Sequence, residues 1–273
     1  MMRNYLCLLV IVLLISACGA PESRKQISLA GSWGFRPDPE GIGEQEAWFV
    51  QVLDDSVKLP GTMDTNRKGE PNTDLEETTY LFREYRYVGK AWYQKQVDIP
   101  LDWQGQIIEL RLERTRATKV WLDDTYIGAS DFISGQQVYD LSRWLSPGQH
   151  TLTILVDNGG ALPAQILDNS HACTESTQTN WNGIIGEMVL EAKPLYHFRD
   201  IQAYTSPQTS TVRIELDIHT PAGEEVPSGT IVSLDIESFN TDKKHRLRVS
   251  QSVVTAGGDE YRDSYGSGYA FVE

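Results

Sequence analysis

The sequence predicts an all-β protein made of two successive sandwiches, on three observations. Apolar and polar residues alternate at period two over many short segments, the pattern of strands with one face buried. No amphipathic helix longer than about two turns can be drawn, which excludes a βαβ architecture. All 7 tryptophans lie at or before Trp181, so the texture changes after Ala192 and a second unit begins at Lys193-Pro194.

Composition narrows the function classes. The 273 residues, 40% hydrophobic and 23% charged, belong to a folded chain with room for one large domain or two ordinary ones. A formal net charge of −14 with no basic stripe excludes a nucleic-acid partner, because phosphate binding needs clustered Lys and Arg. Cys7 lies in an apolar run and Cys18 ends it, leaving Cys173 as the one thiol in the body of the protein. No internal disulfide is therefore expected. The histidines show no metal spacing, and neither a metal nor a cofactor is expected.

Taken in order, residues 1–17 read as a targeting segment. Arg3 precedes the apolar run Leu6 to Ile15, which is too short to span a bilayer as a mature helix. Ile15-Ser16-Ala17-Cys18 resembles a bacterial lipoprotein signal, in which the cysteine is lipidated and becomes the new N-terminus. An ordinary secretory peptide cleaved near Ala17 is the alternative. Both place the mature protein outside the cytoplasm, and the first anchors it to a membrane of the bacterial cell envelope through Cys18. Residues 18–26 follow as a polar tether.

Residues 27–192 form the first sandwich. Ile27 to Phe35 alternates as a strand, and Val57 to Leu59 ends in the turn Pro60-Gly61. Thr65 to Tyr87 is long and polar, carrying Asn66, Arg67, Arg83 and Arg86 among aromatic residues, as either a functional loop or a solvated insertion. A dense strand series comes next. Tyr93, Val97 and Ile99 share a face; Ile108, Leu110 and Leu112 alternate with Glu109 and Arg111; Thr118, Val120 and Leu122 alternate with Lys119 and Trp121. This reads as an antiparallel meander with one wet face. Asp140 to Leu145 reads as one capped helical turn, and Leu152, Ile154 and Val156 as another strand.

The stretch Thr177-Gln178-Thr179-Asn180-Trp181-Asn182-Gly183-Ile184-Ile185-Gly186-Glu187 sets one indole among hydroxyls and amides, then enters the strand Met188 to Ala192. A flat apolar ring beside groups that donate and accept hydrogen bonds suits a polyol. The same residues also suit a packed sheet edge whose amides satisfy loop backbone.

Residues 193–273 carry further alternation at Val212 to Ile218, Val232 to Ile236 and Leu247 to Val253, with turns such as Pro221-Ala222-Gly223. This suggests an immunoglobulin-like sandwich. Gly257 to Glu273 is rich in Gly, Tyr and acid with little strand pattern, so the second sandwich reads as incomplete.

Several of these stretches occur in the order found in one family. Gly31-Ser32-Trp33, Leu59-Pro60-Gly61-Thr62-Met63-Asp64 and Gly89-Lys90-Ala91-Trp92-Tyr93 resemble the N-terminal domain of glycoside hydrolase family 2, the β-galactosidase and β-glucuronidase family. Val120-Trp121-Leu122-Asp123-Asp124, Val156-Asp157-Asn158 and Asn180 to Gly186 continue the likeness. The resemblance implies a jelly-roll (galactose-binding-like) sandwich at 27–192, followed by a partial immunoglobulin-like β-sandwich at 193–273. It also implies a carbohydrate partner and a catalytic (β/α)8 barrel, which needs roughly 250 residues and cannot fit after residue 192.

Retaining glycosidases use two carboxyl groups about 5 Å apart, and the family carries both on that barrel. Its acid/base glutamate follows an asparagine, whereas this sequence contains no Asn-Glu dipeptide. Glu76-Glu77 and Asp123-Asp124 are adjacent pairs that on a strand would point to opposite faces. No catalytic residue is therefore assigned, and the chain is expected to be a non-catalytic N-terminal portion of a lipid-anchored enzyme whose barrel is missing or separately encoded. A free-standing carbohydrate-binding lipoprotein with solvent-facing tryptophans, and a sandwich used for protein contacts, are the competing readings.

In related galactosidases the loop before the equivalent tryptophan supplies an acidic residue to the sugar pocket. Here Thr177, Thr179, Asn180 and Asn182 stand in its place. The resemblance thus makes Asn180 and Asn182 the first expected sugar contacts, with Trp181 as their packed anchor and Asn66 and Arg83 contributed by the second loop.

Overall fold

In the computed structural model the described residues are 25–73, 81–169, 173–175, 177–209, 211–221, 224–239 and 242, with backbone alone for 246–252 and 267–272. The targeting segment with Cys18, and Glu76, Glu77, His171 and His245, lie outside them. Among the described residues the one α-helix is the short Ala164–Asn169, and no helix is long and apolar enough to cross a membrane.

Two antiparallel sheets face each other in the first unit. One has 6 strands, in the order Thr125–Ser130, Ala117–Leu122, Gly148–Asp157, Lys90–Ile99, Gly31–Asp38, Asp55–Leu59. The other has 4, in the order Lys25–Ser28, Met188–Lys193, Ile107–Leu112, Gln137–Asp140. The chain crosses repeatedly between them: Ile107–Leu112 leaves Lys90–Ile99 for the smaller sheet, and Ala117–Leu122 returns to the larger. This corrects the expected meander; it is the double-sheet crossing pattern of a jelly roll.

Alternation explains the core. Ile108, Leu110 and Leu112 are buried while Glu109 and Arg111 between them reach the opposite face. They meet Trp33, Phe35, Tyr93, Val97, Val120, Ile154 and Leu190 between the sheets. Each such side chain contributes roughly 1.5–3 kcal/mol of apolar burial. The Trp33 indole also donates to the Leu29 carbonyl at 2.8 Å, so its polar edge is satisfied inside the core.

The outer face of the larger sheet is not uniformly wet, contrary to the one-sided pattern expected. Trp48, Leu53, Trp92, Trp121 and Leu155 form a second apolar cluster there, with Ile42 and Phe49 packed against it. The Asp38 carboxylate pins the covering segment by accepting from the Trp92 indole at 3.0 Å and from the amides of Ile42 and Gly43 at 2.9 and 3.0 Å. Gly43 is required at this close approach, since a Cβ would sit 2.4 Å from Trp92 Nε1. Trp33, Trp48, Trp92, Trp103 and Trp121 are thus all buried, which removes them as solvent-facing platforms.

Asp140 ends its strand, and its carboxylate accepts from the Ser142 amide at 2.8 Å. Leu145 N–H closes on Leu141 O at 2.9 Å, so the expected capped turn forms as a single turn.

The second unit is also all β. His197–Ser206, Thr211–His219 and Ser267–Val272 make a sheet of 3 strands, and Ile231–Glu237 pairs with Arg246–Ser252. The Ser267–Val272 strand corrects the reading of little strand pattern after Gly257. Its small core is Ile214, Leu216 and Val232, with Val212 and Leu234 against them.

Candidate carbohydrate-facing site

Residues 180–186 stitch two other segments of the first sandwich together. Gly183–Ile184 pairs antiparallel with Gly61–Thr62, and the Met63 amide donates to Asn182 O at 2.8 Å. Thr115 Oγ1 donates to Gly183 O at 2.8 Å, tying in a third segment. Gly183 has φ 141°, and a Cβ there would lie 2.3 Å from Gly61 O, so no other residue fits.

Behind this bridge lies a buried amide knot. Asn182, 1% exposed, accepts from the Tyr93 hydroxyl at 2.8 Å and donates to Gly89 O and Val156 O at 2.9 and 3.0 Å. Asn158, 0% exposed, donates to Tyr87 O at 2.9 Å and Asn180 O at 3.1 Å, and its own Oδ1 accepts from the Gly89 amide at 2.9 Å. Burial pushes the Tyr93 phenol well above its ordinary value, which keeps it a donor throughout the working pH range.

Asn180 sits at the rim of the knot. Its Nδ2 donates to Asn158 O at 2.8 Å, while its buried Oδ1 has no hydrogen-bond partner among the described residues. Arg83 reaches in from the second loop. Its Nη1 donates to Asn180 O at 2.5 Å and its Nη2 pairs with Glu175, which also accepts from the Asn180 amide at 3.0 Å. Arg83 Nε is likewise buried with no hydrogen-bond partner among the described residues. Burial lowers the pKa of this guanidinium from its ordinary value, and the facing Glu175 carboxylate opposes that shift.

Trp181 is half-buried, with the Arg116 guanidinium 3.9 Å over its ring and Arg116 Nε donating to its carbonyl at 3.2 Å. Asn66 stands apart from this group. It clamps the Gly61 turn, accepting from the Lys58 amide at 2.7 Å and donating to Lys58 O and Thr62 O at 3.0 and 2.8 Å. Asn180, Arg83 and Trp181 therefore gather at one rim, whereas the amides of Asn182 and Asn66 are committed to the protein itself.

The sequence reading missed Glu175, Asn158, Arg116 and Tyr93. Asp157-Asn158-Gly159-Gly160 shows as a strand-ending turn, and nothing in that pattern marks Asn158 as the centre of a buried network.

Other carboxylates are engaged differently. Glu109 and Glu191 are cross-strand partners on the smaller sheet, and both contact Arg111, at 3.3 and 3.0 Å. Burial raises the Glu191 pKa, but the hydrogen bond from Gln26 and the charges of Lys193 and Arg111 outweigh it and hold the carboxyl below its ordinary value. A group held ionised cannot serve as the general acid of a carboxyl pair. Asp123 accepts from the Thr151 amide at 2.7 Å and contacts His150 Nδ1 at 2.8 Å, which is turn chemistry. The Cys173 thiol is buried and its pKa is pushed up by that burial, the reverse of an activated nucleophile. No group of three or more metal-ligating side chains occurs among the described residues.

The two antiparallel sheets with repeated crossings between them define a jelly-roll sandwich. Residues 27–194 match the family model described as glycosyl hydrolases family 2, sugar binding domain, and the chain belongs to that family. A curated β-glucuronidase from Paenibacillus borealis is 26% identical over 140 residues, which is 50% of this chain and 22% of that protein. Among solved structures, the β-glucuronidase of Ruminococcus gnavus superposes with a TM-score of 0.56 at 18% identity, over 93% of this chain and 45% of that one. The β-glucuronidase of an uncultured Clostridium sp. gives 0.55 at 19%, over 85% and 40%. These last two likenesses are of fold. The chain spans less than half the length of each of these relatives.

Proposed function

We propose that this chain supplies the substrate-side rim of a family 2 β-glycosidase acting on β-glucuronides, with the bond-breaking carboxyl pair carried by a barrel domain. The carrying observation is the rim itself: Asn180 Oδ1 is an acceptor and Arg83 Nε a donor, both buried and without a hydrogen-bond partner among the described residues. Groups left unpaired at such depth cost about 1–3 kcal/mol each, and a polyol hydroxyl would relieve both. Trp181, held flat by Arg116, adds an apolar face beside them. Asn182 and Asn66 act one step back, as positioning residues for Asn180 and for the Gly61 turn. The names of the relatives supply the sugar. The reading also places the mature protein on the bacterial cell envelope, lipid-anchored at Cys18, and accounts for the engaged carboxylates by assigning catalysis elsewhere.

Two measurements test it. The purified chain should turn over no 4-nitrophenyl β-D-glucuronide, and turnover abolished by one substitution within the chain would overturn the non-catalytic reading. Titration of D-glucuronate should show binding that Asn180→Ala weakens by about tenfold, the value of one hydrogen bond. Binding unchanged by Asn180→Ala would remove the rim from the sugar site.

A further inference from the structure

A second groove lies on the outer face of the larger sheet, beside the segment that covers it. It has a volume of about 430 Å3 and is bounded by Phe49, Gln94, Gln96, Asp124 and Thr151, with Val50 and Val52 along one lip. Thr151 belongs to the same strand as Asp157, and the spacing of strand residues puts the groove about 20 Å from the rim described above. The two places are separate.

Three features of the groove specify a ligand class. First, its floor sets Thr151 opposite Gln96 on the neighbouring strand, with Gln94 beside them held by Phe49 O and the buried Thr153, giving an amide and a hydroxyl on one face. Gln96 Nε2 donates to Thr151 Oγ1 at 2.8 Å, and the amide oxygen of the exposed Gln96 has no hydrogen-bond partner among the described residues. Second, one wall is aromatic. Phe49 supplies the ring, backed by the buried Trp121 with centroids 5.5 Å apart and planes at 5°. Third, the lining carries the carboxylates of Asp123 and Asp124 and no Lys, Arg or His. Asp123 is used by His150 and Thr151, whereas among the described residues Asp124 accepts only from the neighbouring Thr125 hydroxyl, at 3.1 Å.

The groove's own lining holds carboxylates and no basic side chain, and the nearby Arg36, which donates to Gln51 Oε1 and Val52 O at its edge, is already paired with Asp54; the balance disfavours phosphates and carboxylates, uronates included. What it suits is a neutral molecule with many hydroxyl donors and an apolar face to lay against a ring. The electrically balanced groove beside Arg111, Glu191, Lys193 and Arg199 lacks this character, because its charges already pair with one another. From these observations we infer that the outer sheet face is a binding site for neutral saccharide chains, separate from the rim and opposite to it in charge preference. Asp124 accepts from a pair of adjacent hydroxyls, Gln96 and Thr151 engage the next residue along the sheet, and Phe49 meets a pyranose face.

The test is calorimetric titration of the full chain with cellotetraose, xylotetraose and mannotetraose, and with tetragalacturonate as the acidic counterpart. At least one neutral tetrasaccharide should bind, the uronate should not bind at this face, and Gln96→Ala and Asp124→Ala should each weaken the neutral ligand by about tenfold. Asn180→Ala should leave that binding unchanged. Absence of binding by all three neutral chains overturns the inference, as does binding that Asn180→Ala removes and the groove variants do not. Circular dichroism spectra matching wild type for Gln96→Ala and Asp124→Ala exclude misfolding as the cause of any loss. Because the proposed rim is read out with D-glucuronate, failure of one site leaves the other assignable.

Discussion

The amide knot around Asn158 and Asn182 and the exposed pair of the Gln96 amide and Thr151 hydroxyl use the same hydrogen-bonding chemistry to opposite ends. In the knot the amides are buried and are spent on loop carbonyls and on Tyr93. In the pair Gln96 is exposed, and its amide nitrogen donates to the Thr151 hydroxyl. The difference teaches that residue type does not decide whether a polar side chain serves structure or ligand. Burial decides, because a buried amide must be satisfied by its own protein or by whatever fills the gap.

The comparison breaks most readily at Gly183. Gly183→Ala should destabilise the chain by ~3 kcal/mol or more, since the new Cβ meets Gly61 O at 2.3 Å in a backbone region that only glycine tolerates. Urea unfolding followed by tryptophan fluorescence measures it; a loss under about 1 kcal/mol would show that the bridge yields. Next comes Asn182→Ala, which leaves the buried Tyr93 hydroxyl without its acceptor and removes a donor from Gly89 O and Val156 O, and should cost about 2–3 kcal/mol in the same assay.

A third, smaller effect concerns acid. The Glu191 pKa is depressed on folding, so its stabilisation is present above the ordinary value of 4.5 and is lost as pH falls through the lowered folded value. Wild-type stability should decline below pH 4.5, and Glu191→Gln should flatten that part of the curve. The smallest change is expected at the exposed pair: Gln96→Ala should shift stability by no more than about 0.5 kcal/mol while altering saccharide binding, which sharpens the contrast with Asn182.

Much of the fold was legible because it is local. Ile108, Leu110 and Leu112 announce their strand by alternation, and Asp140 announces its turn by a side chain that caps backbone two residues on. What was not legible depends on partners far along the chain. Trp121 looks like the wet side of a strand until the Trp48 to Leu53 segment folds over it, and Asn158 looks like a turn residue until Asn180 and Tyr87 surround it. The rim was half legible: Arg83 and Asn180 were named from separate loops, but only the fold shows that they touch. Asn180 and Asn182 could not be told apart by sequence, since they differ only in which way the chain turns at Trp181.

The Lys25–Ser28 strand pairs with Met188–Lys193, so Lys25 lies opposite Ala192. The two ends of the sandwich are therefore adjacent, and the opening strand cannot take its place until the closing one has been synthesised. During translation the smaller sheet waits, one edge unsatisfied, for the last of its segments to leave the ribosome. The same adjacency makes the unit a loop in all but covalent bond. Joining Lys193 back to Lys25 and reopening the backbone at the exposed Gly105 turn, where a side chain would meet nothing within 4 Å, should give a circular permutant with the same two sheets.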